Sequence, residues 1–227
     1  RAIKINPTDA SYYSNLGIVL KDLGEHEAAL KCFEQALLLD YHYPEAFNNR
    51  GLVHEKMGEY EKAVTDFDSA IRCRPAYHEA HSNKGVALQR LKRHADALAS
   101  FRDAIALNPA FTDAWLNLAG LLRELRRFDE SIKAFSAALK ISPSDAELLQ
   151  ARAEVYADIG ETDLAMSDLE HALHLKPGNA NSMWARSFIE LSTGNFQSGF
   201  DLFEYRFRQT KTPAKFFQTR RPLWTPT

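Results

Sequence analysis

A shift of 34 residues lays this chain on itself. In the stretch 112–145, Ala119, Ser131, Phe135, Ala138 and Pro143 punctuate the sequence; they return as Gly85, Ala97, Phe101, Ala104 and Pro109 one period earlier, and as Gly17, Ala29, Phe33, Ala36 and Tyr41 three periods earlier. A period in the thirties with this small, aromatic, small and proline punctuation is the mark of stacked helix–turn–helix units. No single unit of that size buries its own apolar face, so neighbours must supply the core.

The units read 10–43, 44–77, 78–111, 112–145, 146–179 and a divergent 180–213, each a helix A, a turn and a helix B. At the eighth position of helix A stand Gly17, Gly51, Gly85, Ala119, Ala153 and Ser187, where a bulky side chain would push helix A off helix B. Helix B answers with small Ala29, Ala63, Ala97, Ser131, Ala165 and Gly199, and with the plugs Phe33, Phe67, Phe101, Phe135, Leu169 and Phe203. The turn between them carries Gly24, Gly58, Gly160 and Gly194, as a cap of positive φ requires. Lys92 and Arg126 hold the same place in the third and fourth units and predict a strained or different cap there. Pro75, Pro109, Pro143 and Pro177 close helix B because proline lacks the N–H that a continuing helix needs. These residues resemble the tetratricopeptide repeat family, and the resemblance implies an all-α superhelical solenoid of antiparallel helix pairs.

Composition agrees and bounds the rest. Only two Cys stand among 227 residues, too few for a disulfide scaffold, and the formal charge of −2 supplies no global field for nucleic acid. No segment approaches the length of an uncharged spanning helix. Residues 1–9 read as the end of a truncated upstream repeat rather than a signal peptide, with Ala2 and Ile3 standing 34 residues before Ala36 and Leu37. The chain is therefore expected to be part of a longer, cytoplasmic protein.

In the repeat family the concave surface is lined by helix A at its second, fifth, sixth, ninth, twelfth and thirteenth positions. The sixth position is Asn15, Asn49, Asn83 and Asn117, then Ala151 and Ala185. Asparagine gains nothing from helix propensity, so four in register want another explanation. An amide with two donors and an acceptor suits the backbone of an extended peptide; the competing reading is that these residues bond the neighbouring repeat's backbone and stabilise stacking. The row is similar to the asparagine ladder of protein O-GlcNAc transferases. Asn48, Ser82, Leu52, Val86, Lys56, Gln89 and Arg123 complete the expected peptide groove. Beyond it Trp184, Phe188 and Leu191 predict an aromatic patch, expected to meet a peptide or an adjoining domain.

Other clusters carry less. Arg90, Lys92, Arg93, Arg123, Arg126 and Arg127 surround two adjacent turns, with Asp96, Glu124, Asp129 and Glu130 nearby to neutralise them. The readings are a solvated edge or a docking point for an acidic segment. His78/His81 and His171/His174 lack a third ligand at useful spacing, so no metal and no cofactor is expected. No phosphate loop or nucleophile motif is present, and the chain does not read as an enzyme.

From Gly194 the chain runs GNFQSGFDLFEYRF and later RRPLWTPT. Gly194, Gly199, Phe200, Phe203, Glu204, Tyr205, Arg206, Pro222 and Trp224 resemble the final repeat and junction of bacterial repeat proteins whose next domain is glycosyltransferase-like. Residues 214–227 are expected to be that junction, with Phe200, Phe203, Glu204, Tyr205, Arg206 and Trp224 facing the next domain. The function that follows is a protein-interaction module holding an extended peptide. The alternative is a spacer or self-associating scaffold with an empty groove. No nucleic acid or membrane partner is expected.

Overall fold

The computed structural model describes residues 8–209, with side chains through Phe203. Residues 1–7 of the expected 1–9 remnant, the end of the last unit and the junction with Trp224 lie outside the described residues, as do the side chains of Glu204, Tyr205 and Arg206. The chain divides into two compact units, Arg1–Ile141 and Ser142–Thr227. In the first, the helices are α1 Ala10–Asp22, α2 His26–Leu39, α3 Pro44–Lys56, α4 Tyr60–Cys73, α5 His78–Arg90, α6 His94–Leu107, α7 Thr112–Glu124 and α8 Phe128–Ile141. In the second they are α9 Ala146–Asp158, α10 Thr162–Leu175, α11 Ala180–Ser192 and α12 Phe196–Gln209. The described residues contain no strand, and the architecture is an all-α repeat fold of helix pairs.

Each pair turns on the same device. At the first turn Gly24 N–H donates to Lys21 O and Glu25 N–H to Leu20 O, the paired bonds of a Schellman cap that satisfy carbonyls at the end of α1. The same pair of bonds closes α5, from Lys92 to Gln89 and from Arg93 to Leu88, and α7, from Arg126 to Arg123 and from Arg127 to Leu122. Lys92 at φ 60° and Arg126 at φ 58° therefore adopt the left-handed conformation that the glycines hold elsewhere, and the cap is the ordinary one carried under strain. Helix starts are more varied. Asp9, Asp145 and Asn179 cap α1, α9 and α11 through their side chains, whereas α3 starts on Pro44, where a missing N–H costs nothing.

The core forms where small residues let helices close. Phe33, Phe67 and Phe101 are fully buried against Gly17, Gly51 and Gly85, and a Cβ built on Gly85 would stand 2.5 Å from Phe101 Cε1. The next helix A then seals each plug. Val53 joins Ala29 and Phe33 in one cluster, Ala87 joins Ala63 and Phe67 in the next, and in the second unit Ile189 joins Ala153, Ala165 and Leu169. Val53 and Ala87 are wholly buried, while Val19, at the same place on α1, is 54% exposed. Phe203, the equivalent of the buried plugs, is 36% exposed. Burial at this seam is thus made by the neighbouring repeat, at about 1.5–3 kcal/mol for each large side chain.

Polar pairs lock the same contacts. The Arg50 guanidinium on α3 donates to both Asp66 carboxylate oxygens on α4 at 2.9 and 2.5 Å, and Arg152 on α9 repeats the arrangement with Asp168 on α10 at 2.7 and 2.8 Å. Lys84 on α5 reaches instead to Asp68 on α4 at 2.7 Å, tying one repeat to the one before.

Candidate functional site: the asparagine row of the first unit

Asn15, Asn49, Asn83 and Asn117 recur on α1, α3, α5 and α7, one per helix A. Asn15 is exposed and the other three are half-buried. Asn83 Nδ2 donates to Asn48 Oδ1 at 3.0 Å, and Asn117 Nδ2 to Ser82 Oγ at 3.4 Å. Asn49 differs: its Nδ2 donates to Glu45 O within its own helix at 2.9 Å, and its Oδ1 accepts from Lys21 Nζ at 3.3 Å. Two members of the row therefore reach back one repeat, to side chains rather than to the backbone the stacking reading anticipated. Each of those amides keeps a second N–H and a carbonyl oxygen beyond that bond.

Asn48 and Ser82 do not line a groove. They are 6% and 2% exposed, turned beneath the row as acceptors for the next repeat's asparagine, and Ser14 at 1% occupies the same place in the first repeat. A side chain buried between two helix A elements has no face left for a ligand. Leu52 is half-buried against the cluster of Ala63, Phe67 and Ala87. Val86 and Arg123 are also half-buried, and Lys56 is exposed. Gln89 Nε2 donates to Glu124 Oε2 at 2.7 Å, while Lys92 Nζ lies 3.2 Å from Glu124 Oε1. The Gln89 bond, followed by that of Lys92, holds the Glu124 carboxyl below its ordinary value.

Two further groups on this helix face stand outside the expected set of groove residues. Glu55, at the same helix A position as Gln89 and Arg123, has its carboxyl pushed up by burial despite the opposing pull of Lys56 and Arg90. Gly120 stands exposed inside α7 with nothing within 4 Å of a built Cβ. Neither the turn nor packing requires glycine there, so it leaves an open floor beside Asn117. The signal was available, because both fall on positions that the repeat period assigns to one helix face.

The other clusters resolve into local contacts. Arg93 pairs with Asp96 at 2.7 Å, Arg127 with Glu130 at 2.7 Å, and Arg126 lies 5.6 Å above the Phe128 ring. His78 packs edge-on against Phe111 at 4.9 Å, and His81 Nε2 lies 3.1 Å from Pro75 O. Cys32 and Cys73 are free thiols, the former pushed up by burial. In the second unit Trp184 and Phe188 are exposed, 43% and 67%, as the aromatic patch requires. Leu191 is not part of that patch: it leans onto Gly199, whose built Cβ would meet Leu191 Cγ at 2.6 Å, because the small residue opens room inside the hairpin. Phe200 is 48% exposed on α12. Among the described residues, no helix is long and apolar enough to cross a membrane.

Helix pairs with a small-residue seam, capped by the same left-handed turn and repeated at 34 residues, define a tetratricopeptide repeat protein. Three family models, each described as tetratricopeptide repeat, match residues 8–76, 82–146 and 146–179, and the chain belongs to that family. No curated protein matches it. Among solved structures it is similar to YrrB, described as a repeat protein with an unusual peptide-binding site, at 26% identity and TM-score 0.63, covering 82% of this chain and 95% of that one. It is also similar to Pseudomonas aeruginosa pilF, at 17% identity and TM-score 0.77 over 88% and 90% of the two chains. The Cut9–Hcn1 hetero-tetramer of the APC/C gives 16% identity and TM-score 0.76, over 91% of this chain and 41% of that one. The last two likenesses concern the fold alone.

Proposed function

We propose that this protein-interaction module holds an extended peptide along the asparagine row of its first unit. The observation that carries the reading is the row itself: Asn83 and Asn117 are fixed from behind by the preceding repeat, at 3.0 and 3.4 Å, and each keeps amide groups for a ligand backbone. Fixing one N–H orients the rest of the amide, which lowers the ordering cost of binding. The likeness to a structure described as having a peptide-binding site adds support at 26% identity. The open floor at Gly120 lets a peptide main chain approach α7.

The test is titration of labelled peptides against the chain and against Asn49→Ala, Asn83→Ala and Asn117→Ala combined, with helicity checked by circular dichroism. Loss of about three peptide hydrogen bonds should weaken the best ligand by roughly 10- to 100-fold. Equal affinity in a folded triple variant removes the row from the function.

The proposal extends to a glycosyltransferase-like neighbouring domain, on the strength of the run from Gly194 to Arg206 and of Pro222 and Trp224. Co-purification of a sugar-nucleotide-dependent transferase activity with the natural full-length protein tests it, and a full-length protein without such activity overturns it. A second reading, self-association through the last repeat, is favoured by Phe196 and Phe200, 58% and 48% exposed one turn apart on α12. Light scattering decides it: a dimer that Phe200→Ser dissolves supports association, and a monomer refutes it.

A further inference from the structure

Among the described residues five glycines stand inside helices, and packing explains four of them: a Cβ built on Gly17, Gly51, Gly85 or Gly199 would lie 2.5 to 2.8 Å from the side chain it faces. The turn glycines, Gly24, Gly58, Gly160 and Gly194, are explained by positive φ. Gly120 has neither reason. It is exposed within α7, its φ is not positive, and a Cβ there would meet nothing within 4 Å. Glycine in a helix interior loses more backbone freedom on folding than alanine does, so α7 carries a cost that its own fold does not require.

The repeat period identifies what is missing. At the same place on α1, α3 and α5 stand Ile18, Leu52 and Val86, all half-buried, and each interposes an aliphatic side chain between its helix backbone and anything laid over it. On α7 the helix backbone itself is bare. Asn117 precedes Gly120 by three residues and therefore shares its face. The Asn117 amide is drawn back toward the preceding repeat, its Nδ2 donating to Ser82 Oγ at 3.4 Å. A short side chain held in that direction cannot reach out to a ligand propped up on a leucine or valine, so the ligand must come down to it.

We propose that Gly120 is a positioning residue: it lets the main chain of an extended peptide lie directly on α7, within reach of the Asn117 amide, and makes α7 the point of closest contact along the row. The inference rests on the reading of the asparagine row as a peptide site and adds where along it the backbone is gripped. Over α3 and α5 the peptide rides on Leu52 and Val86, and its hold there is weaker. What α7 recognises is main-chain N–H and C=O, which an extended segment presents whatever its side chains.

The probe is a short fluorescein-labelled peptide of alternating Ser and Val, whose valines favour an extended chain, read by anisotropy against the full chain. Gly120→Ala and Gly120→Leu both place a better helix former in α7. Thermal melts should show both variants more stable than the parent, by about two- to fivefold in the folding equilibrium constant for alanine. The same variants should bind the probe more weakly, by about threefold for alanine and at least about tenfold for leucine. Higher stability with lower affinity is a combination that a merely structural glycine does not give. Asn117→Ala should weaken the probe more than Asn83→Ala does. In the Asn117→Ala background Gly120→Leu should cost only about threefold or less, because the bond it disrupts is already gone. If Asn117→Ala weakens the probe and Gly120→Leu does not, or if their losses add in full, the row stands and the positioning role falls. Variants less stable than the parent would show that α7 needs glycine for its own fold, which also refutes the proposal. A probe that fails to bind, or that binds Asn117→Ala as well as the parent, overturns the row and this inference with it.

Discussion

Gly85 on α5 faces the Phe101 ring on α6 so closely that a methyl group at Gly85 would lie 2.5 Å from Phe101 Cε1. The fourth repeat places Ala119 opposite Phe135, and the fifth places Ala153 opposite Leu169, so larger residues at this position are accepted when the helices or the plug adjust. Gly85→Ala should therefore destabilise the first unit by about 1–3 kcal/mol, the range of core overpacking. Phe101→Leu in the same chain should recover part of that loss. Urea unfolding of the two single variants and the double variant measures the coupling, and strictly additive losses would remove the contact as the cause.

Lys92 holds φ 60° at the cap of α5, where four other repeats place glycine. A left-handed conformation costs a non-glycine residue about 1–2 kcal/mol, against roughly 0.5–1 kcal/mol of glycine's added chain entropy in the unfolded state. Lys92→Gly should raise stability by about 0.5–1 kcal/mol, less the small contribution of the exposed Lys92–Glu124 pair. A thermal melt checks it, and a lowered midpoint would contradict the strain.

Asp66 has only 5% of its side chain exposed and accepts both bonds from Arg50. Asp66→Ala leaves the guanidinium without its buried partner and should cost about 2–4 kcal/mol, somewhat under the full loss for a fully buried pair because Arg50 is 23% exposed. Arg50→Met with Asp66→Leu should restore much of the stability, since apolar replacement of both partners removes the desolvation cost. A double variant no more stable than Asp66→Ala would count against this account.

Glu124 should titrate below the ordinary glutamate range because Gln89 and Lys92 both donate to it. A carboxyl depressed in the folded state contributes stability above its unfolded pKa of about 4.3 and loses it as pH falls through the folded value. Carboxylate NMR titration should place its midpoint low in the native chain and return it toward the ordinary value in Gln89→Ala with Lys92→Ala. A midpoint that both variants leave unchanged would show that these bonds do not set it.

The repeat was legible because its determinants are local or strictly periodic. Small residues at one helix A position, a plug sixteen residues later, a left-handed turn and a closing proline each follow from backbone geometry and side-chain volume, so Gly51, Phe67, Gly58 and Pro75 announce one helix pair without reference to any other. Periodicity also placed the asparagine row on one face.

What lies above and beneath that face was decided only by the neighbouring repeat. Asn48 and Ser82 share the expected concave positions, yet the next helix A covers them and makes them acceptors for Asn83 and Asn117. Leu191 follows an exposed aromatic pair in sequence and turns into its own hairpin because Gly199 leaves room for it. The Arg50–Asp66 pair, sixteen residues apart, closes only once α3 and α4 lie side by side. An amphipathic pattern states which side chains share a face, whereas accessibility depends on the volume and polar groups of whatever element is laid against that face, and no single helix encodes those.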